Sequence, residues 1–325
     1  MNFELNNECP HTMGSINYKL QYDDVQNIDI LNIASKKRFY CMINDDLRLC
    51  IKRNLENMNE KRVLKKANIS RQTLKRILYK NNYWLNIETL FTLSNIFKIK
   101  KQLIKKNILS IKTKNSKPIK NFEIKISNEL CRLIGHLLSD GGIHIIEKEG
   151  KYRIFYVNNE KILLDSFTED TKKIFGDIEI YFREREERGD EIWLPSTVGL
   201  ILYNLFDFFD CKIRRVPNLI FKLKQENICN FLQAVFDDEG YLYPDKKMIV
   251  LSLVNKKLLS DIKKLLGIVG IKTNPIHIHD SKNRSKMFYF NLTNRTNIEN
   301  FNKKIGFIHP KKCEKLDILI SSYGA

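Results

Sequence analysis

Apolar residues along this chain follow two periods, and the change of period divides it. From Asp45 onward, Leu47, Ile51 and Leu55 stand four residues apart, the spacing of a helix that buries one face. Glu60 to Ala67 predicts a second helix, with Val63, Leu64 and Ala67 on its apolar side. After a tight break at Asn68-Ile69, Ser70 is placed to cap a third helix, Arg71 to Tyr79, by accepting from an unpaired backbone N–H. Ile87, Leu90, Leu93 and Ile96 mark a fourth. Together they predict an all-α domain over residues 41–105. Residues 1–40 are polar, weakly patterned and without an assignment. The lysine-dense stretch KKQLIKKNILSIKTKNSKPIK reads as a helix end followed by a basic linker over 106–122.

Beyond the linker an internal repeat emerges. LIGHLLSDG (Leu133 to Gly141) aligns with LQAVFDDEG (Leu232 to Gly240) at an offset of 99, which sets Asp140 against Glu239. Copy one, 123–222, predicts strands near 142–146, 152–157, 178–184 and 191–195. Its helices fall around Leu163, Leu164 and Phe167 and near 198–208. Copy two, 223–325, predicts strands near 241–243, 248–254, 271–279 and 287–293, with helices through Leu258, Leu259, Ile262 and Leu265 and near 296–304. Val157-Asn158 and Val254-Asn255 precede the middle helix of each. Short alternating strands joined as hairpins predict antiparallel sheets with one face packed under helices, so the expected fold class is α+β.

Charge narrows the partner. Lys+Arg number 56 against 38 Asp+Glu, a formal charge of +18 with a pI near 9.4. Such a surplus favours a polyanion. No apolar run approaches the roughly 18–20 residues of a spanning helix, and MNFELNNECP lacks the basic-then-apolar opening of a signal peptide. Nucleic acid is therefore preferred to a membrane, and a cytoplasmic location is expected. The seven scattered cysteines form no CxxC pair and read as reduced thiols.

The two aligned motifs carry the candidate chemistry. Each is apolar for most of its length and then ends in an acid followed by glycine. Gly141 and Gly240 suit a left-handed residue closing a helix. An acid there opposes the helix dipole, a conflict that a nearby cation resolves. Gly135 with Ser139, and Ala234 with Asp238, stand four apart and mark the faces on which two helices approach closely. Packed on one another, these helices would set Asp140 beside Glu239. Carboxylates that close repel unless divalent cations lie between them, and hard oxygen ligands suit Mg²⁺. Metals roughly 3.5–4 Å apart can clamp the attacking and leaving oxygens of a phosphodiester.

LIGHLLSDGG and LQAVFDDEGY resemble the two LAGLIDADG motifs of single-chain homing endonucleases, particularly the archaeal and intein-type (DOD-type) branch. The resemblance covers roughly residues 121–320, and GDIEIYF, LPST and IENFNKKIGFIHPKKCEKL are similar to the family's post-motif segments. It implies two αββαββα subdomains related by a pseudo-twofold axis, with antiparallel sheets forming a saddle over double-stranded DNA, in a monomer. It implies double-strand cleavage with Mg²⁺ or Mn²⁺, and Asp140 and Glu239 as catalytic acids and metal ligands. Asp237 is a lesser candidate, because Leu138 takes its place in copy one. The family often has a basic residue near each site; Lys212 and Lys311 or Lys312 fall in corresponding places, with plain phosphate or solvent contact as the simpler reading. His136 stands where the family usually has an aliphatic residue and reads as a packing histidine.

Val63 to Phe97 resembles a helix-turn-helix of the phage-repressor type. Ser70, Arg71, Gln72, Thr73 and Lys75 would open its recognition helix, where side chains reach base edges. Lys151, Arg153, Arg183, Arg185, Lys272 and Lys286 are candidates for the larger, strand-borne DNA interface. The expected function is a sequence-specific DNA endonuclease; a non-catalytic transcription regulator or an RNA maturase on the same scaffold stays open. His277-Ile278-His279-Asp280 is set aside as a surface strand, since no second ligand pair is in view. Without an initial Cys or Ser and a terminal His-Asn, self-splicing is not expected.

Overall fold

Asparagine and serine side chains fix where most helices begin. The computed structural model describes residues 27–29, 31, 38–121, 123–185, 189–206, 214–280 and 286–323. Its first part runs β1 (Asn27–Asp29), β2 (Phe39–Ile43), α1 (Asp45–Glu56), α2 (Glu60–Ala67), α3 (Arg71–Tyr79), β3 (Leu85–Asn86), α4 (Ile87–Ile96), α5 (Lys101–Lys106) and β4 (Ile108–Thr113). Asn44, Asn59, Ser70 and Asn86 each accept from a backbone N–H of the first turn of α1, α2, α3 and α4. These bonds satisfy donors that a helix start leaves unpaired. Between α2 and α3 the chain reverses at Asn68, whose φ of 50° and ψ of 48° are left-handed.

This part is not all-α. Strands β3, β2 and β4 form a three-stranded antiparallel sheet in that order. Phe39, Cys41 and Ile43 alternate inward on β2, and Ile108 and Ile111 are buried on β4. The stretch 106–122 is therefore no free linker. Its lysines flank a strand that buries Ile108 and Ile111 and leaves Leu109 exposed. Ile111 and Ile119 exchange backbone bonds of 2.9 and 2.8 Å, and Thr113 N donates to Thr197 Oγ1 at 3.0 Å, tying the first part to copy one.

The repeats follow, after β5 (Glu123–Lys125), which pairs with β1. Copy one runs α6 (Asn128–Leu138), β6 (Gly141–Ile146), β7 (Lys151–Asn158), α7 (Lys161–Phe175), β8 (Tyr181–Arg183), β9 (Asp190–Trp193) and α8 (Ser196–Leu205). Copy two runs α9 (Gln225–Glu239), β10 (Gly240–Tyr243), β11 (Met248–Leu253), α10 (Lys256–Ile268), β12 (His277–His279), β13 (Met287–Leu292) and α11 (Arg295–Lys304). A last helix, α12 (Pro310–Ser321), starts with proline in its first turn, where no N–H is needed. The sheets have the same antiparallel order, β6-β7-β9-β8 and β10-β11-β13-β12. Asn158 and Asn255, from the shared Val-Asn pair, accept backbone N–H groups at the starts of α7 and α10.

Helices α6 and α9 pack directly together. Leu130, Leu133, Ile134 and Leu137 from α6, and Phe231, Leu232, Val235 and Phe236 from α9, are buried. Each such side chain contributes about 1.5–3 kcal/mol. A Cβ on Gly135 would fall 2.6 Å from the Phe231 carbonyl oxygen and 2.8 Å from Ala234 Cβ, so only glycine allows this approach.

The glycines after the acids act differently from the left-handed closure expected of them. Gly240 has φ −80° and ψ 141°, and Gly141 is not among the glycines of positive φ. Both are the first residues of strands that double back against the helix just ended. A Cβ would lie 2.5 Å from Leu137 Cα at Gly141, and 2.5 Å from the Phe236 carbonyl oxygen at Gly240. Close passage, not handedness, requires glycine here.

Candidate active site

The close packing of α6 and α9 carries their C-terminal ends to one place. Glu239 is the last residue of α9. Asp140 lies just past α6, which ends at Leu138 as the backbone leaves the helix at Ser139 (φ −87°, ψ −91°), whose N–H and hydroxyl both still donate to the Gly135 carbonyl at 3.1 Å. Of the residues assigned to the helix contact, Gly135, Ala234 and Asp238 sit in it, while the Ser139 hydroxyl is spent on its own helix.

A cation holds each helix end. The Arg214 guanidinium donates to the carbonyls of Leu138, Ser139 and Gly141 at 2.9, 3.4 and 3.3 Å. Lys312 Nζ donates to those of Phe236, Asp237 and Asp238 at 3.0, 2.5 and 3.4 Å. Helix C-termini carry partial negative charge and unpaired carbonyls, and these two side chains answer both.

The acids are raised in concert. Asp140 is pushed up to about 7, first by the packing around it and then by the Asp238 charge, against His136 and Lys312. Asp140 is itself exposed, so water screens part of this effect while its direction stands. Glu239 is half-buried and is pushed up to about 7 by burial, then by Asp140 and Asp238, against Lys312 and Arg214. Burial pulls the Lys312 ammonium down, with Asp237, Asp238, Asp140 and Glu239 opposing it.

A divalent cation fits this donor set. Asp140 lifts the proton affinity of Glu239, and Asp238 lifts that of both, so negative charge gathers here at a cost that a cation between the carboxylates would relieve. Among the described residues no group of three or more His, Cys, Asp or Glu is arranged so that it could hold a metal ion by itself. Two carboxylates completed by water and phosphate oxygens match the habits of Mg²⁺.

The other candidates separate from this centre. Asp237 is pushed up to about 6 by burial, yet its carboxylate accepts from Ile308 N and His309 N at 3.0 Å, fastening the loop before α12. Lys311 reaches Glu160 at 3.2 Å and belongs to the surface. Lys212 lies outside the described residues. Sequence reasoning missed Arg214, two positions on. The signal was the Arg214-Arg215 pair; Arg215 is occupied with the buried Asp261.

The sheets present unequal outer faces. In the first, Arg153 stands opposite His144, Arg183 opposite Glu191, and Phe155 and Tyr181 flank Trp193. Arg153 and Arg183 are exposed; Lys151 pairs with Glu149, and Arg185 with Glu191 at 2.9 Å. In the second, strands β10 to β13 contain no Lys or Arg, and their outer face shows Tyr241, Tyr243, Tyr289, His277 and His279. Lys272 is exposed in the segment before β12, and Lys286 pairs with Asp280 at 3.1 Å ahead of β13. On α3, Gln72 and Lys75 are exposed, Arg71 pairs with Glu60 at 2.8 Å, and the Ser70 and Thr73 hydroxyls bond at 2.9 Å. Among the described residues no helix is long and apolar enough to cross a membrane.

Comparison with known proteins bears on the α9 half of this centre. Residues 226–306 match a LAGLIDADG-like domain. This LAGLIDADG-like segment includes Asp237, Asp238 and Glu239. A replication factor C small subunit from Methanocaldococcus jannaschii is 28% identical over 197 residues, 60% of this chain and 10% of that protein. A DNA polymerase II large subunit from Thermococcus kodakarensis is 28% identical over 167 residues, 49% of this chain and 9% of that protein. The chain thus spans about a tenth of these curated relatives. Among solved structures, I-DmoI in complex with DNA and Mn is 18% identical, with a TM-score of 0.43 over 56% of this chain and 98% of that one.

Proposed function

We propose that this chain is a divalent-metal-dependent, sequence-specific double-strand DNA endonuclease of the LAGLIDADG homing type. The observation that carries the reading is the meeting of Asp140 and Glu239 at neighbouring helix ends, both carboxyls pushed up to about 7. Bound Mg²⁺ or Mn²⁺ would supply Lewis-acid polarisation of the phosphodiester and a water activated for attack. The chain's own residues do the rest. Asp140 and Glu239 offer hard oxygen ligands. Arg214 and Lys312 hold the helix-end carbonyls and keep them from adding to the repulsion. Each acid must give up its proton before ligating, so metal binding strengthens as pH rises through about 7.

The two repeats, alike in strand order, would straddle the duplex about a pseudo-twofold axis within one polypeptide. Arg153, Lys151 and Arg183 on the first outer face suit phosphate contact. The tight α2–α3 pair would add a helix-turn-helix contact through Ser70, Arg71, Gln72, Thr73 and Lys75. That pair also favours the second reading, a DNA-binding regulator that does not cut.

A cleavage selection on randomised duplex DNA separates them, with wild type beside Asp140→Asn and Glu239→Gln. The nuclease reading expects wild type to cut with Mg²⁺ or Mn²⁺ and each variant to bind without cutting. Tight binding by wild type with no cutting in either metal overturns it in favour of the regulator.

A further inference from the structure

Asp238 is a buried carboxylate that the proposed chemistry leaves unused. Its side chain and that of His136 are both closed to solvent. The side-chain donors on it come from the other repeat: His136 Nδ1 at 3.0 Å from one oxygen and 3.2 Å from the other, Tyr156 Oη at 2.7 Å and Asn158 Nδ2 at 3.4 Å. Asn158 Nδ2 also donates to Tyr156 Oη at 3.0 Å, and the His136 and Tyr156 rings lie 4.9 Å apart. One α9 side chain is thus grasped by α6 and β7 together.

The grasp exists only once. At the repeat offset of 99, Gly135 matches Ala234 and Asn128 matches Asn227, and both matched pairs meet across the helix contact. By the same offset His136 matches Val235, and Asp238 matches Ser139. The reciprocal pair is therefore valine and serine, which makes no such bond. Two second repeats pairing together would bury Asp238 against valine, and a buried carboxylate stripped of its partner is strongly disfavoured. Two first repeats would leave His136 facing serine. Sliding α9 by one turn would break every bond of the cluster at once.

We propose that this one-sided clasp of His136, Tyr156 and Asn158 on Asp238 is a positioning device: it commits the helix contact to unlike repeats and sets the spacing of Asp140 from Glu239, the residue next to Asp238. The inference rests on the metal-site reading above, and its test keeps the two apart.

The test uses the full chain with Mn²⁺ alone as probe, free Mn²⁺ being read by electron paramagnetic resonance at about pH 8, where the acids are ionised. His136→Val with Asp238→Ser copies the reciprocal pair and keeps the contact packed. It should melt as wild type does, yet bind Mn²⁺ about tenfold more weakly or worse. Tyr156→Phe, which removes one hydroxyl, should weaken Mn²⁺ binding about threefold. Asp140→Asn marks the loss expected when a ligand is gone. Amide exchange at Asp238, Glu239 and Gly240, measured without metal, should accelerate about tenfold in the double variant. Wild-type Mn²⁺ affinity in both clasp variants, or unchanged exchange at the helix end, overturns the clasp as a positioning device. Should the double variant fail to fold, Tyr156→Phe decides by the same two readings. Absence of Mn²⁺ binding by wild type would instead sink the metal-site reading, and exchange alone would then judge the clasp.

Discussion

Glu239 bears its charge at a cost, so removing that charge is expected to stabilise the protein. Its carboxyl rises from an ordinary 4.5 to about 7, first through burial and then through Asp140 and Asp238. The folded protein therefore holds this proton more tightly than the unfolded chain does. Stability contributed by the group falls as pH climbs from about 4.5 through about 7, and stays low above that. A displacement of this size corresponds to about 3 kcal/mol if nothing screens it. Glu239 is only half-buried, and water reduces the figure to about 1–2 kcal/mol. Glu239→Gln keeps the shape and deletes the charge. Its melting temperature should exceed that of wild type by about 2–6 °C at about pH 8. At about pH 4 the two should nearly coincide, both side chains then being mostly neutral. Added Mn²⁺ at the higher pH should raise the melting of wild type and leave the variant unmoved, because metal that binds only the folded state stabilises it. Differential scanning fluorimetry across both pH values reads all of this. A variant that melts at or below wild type at the higher pH would refute the claim that burial and the neighbouring carboxyls make this charge costly.

Four further outcomes are expected. Lys312→Met leaves the carbonyls of Phe236, Asp237 and Asp238 without their ammonium, and should cost about 1–3 kcal/mol in urea unfolding. Because Lys312 holds both acids down, its loss should also shift the pH midpoint of Mn²⁺ binding upward; a downward shift contradicts the geometry. Gly135→Ala forces a methyl against the Phe231 carbonyl and should cost about 1–3 kcal/mol, measured by urea denaturation. Arg153→Ala and Arg183→Ala should each flatten the slope of log K against log salt for duplex DNA by about 1, and unaltered slopes would exclude the outer face of the first sheet as the DNA surface.

Much of the repeat fold was legible because it is written twice. The four-residue apolar spacing of α6 and α9, and the alternation along β7 and β11, survive in one dimension and agree between copies. The strands of the first part did not show. Leu85–Asn86 is too short to display a period, and Ile108–Thr113 shows no clean alternation, since its buried Ile108 and Ile111 stand three apart where the pairing with β2 shifts register. That Asp140 and Glu239 occupy matching positions was readable from alignment alone, and the packing of α6 on α9 brings them near one another. Arg214 was passed over for Lys212 because the segment between α8 and α9 has no period to fix which cation turns toward the helix end. The clasp was invisible in principle: His136 and Asp238 stand 102 residues apart, and a polar residue inside an apolar run gives no hint of its partner.

The doubling back of each strand against its helix has a mechanical consequence. Gly141 and Gly240 begin β6 and β10 directly, so no slack separates either acid from the sheet that follows it. Whatever bends those sheets tugs on the acids themselves. A ligand that settles badly on the outer faces would drag the carboxylates out of register even while held firmly. If the chain is the nuclease proposed above, it would grip more sequences than it cuts, with discrimination exercised after arrival and not at first touch.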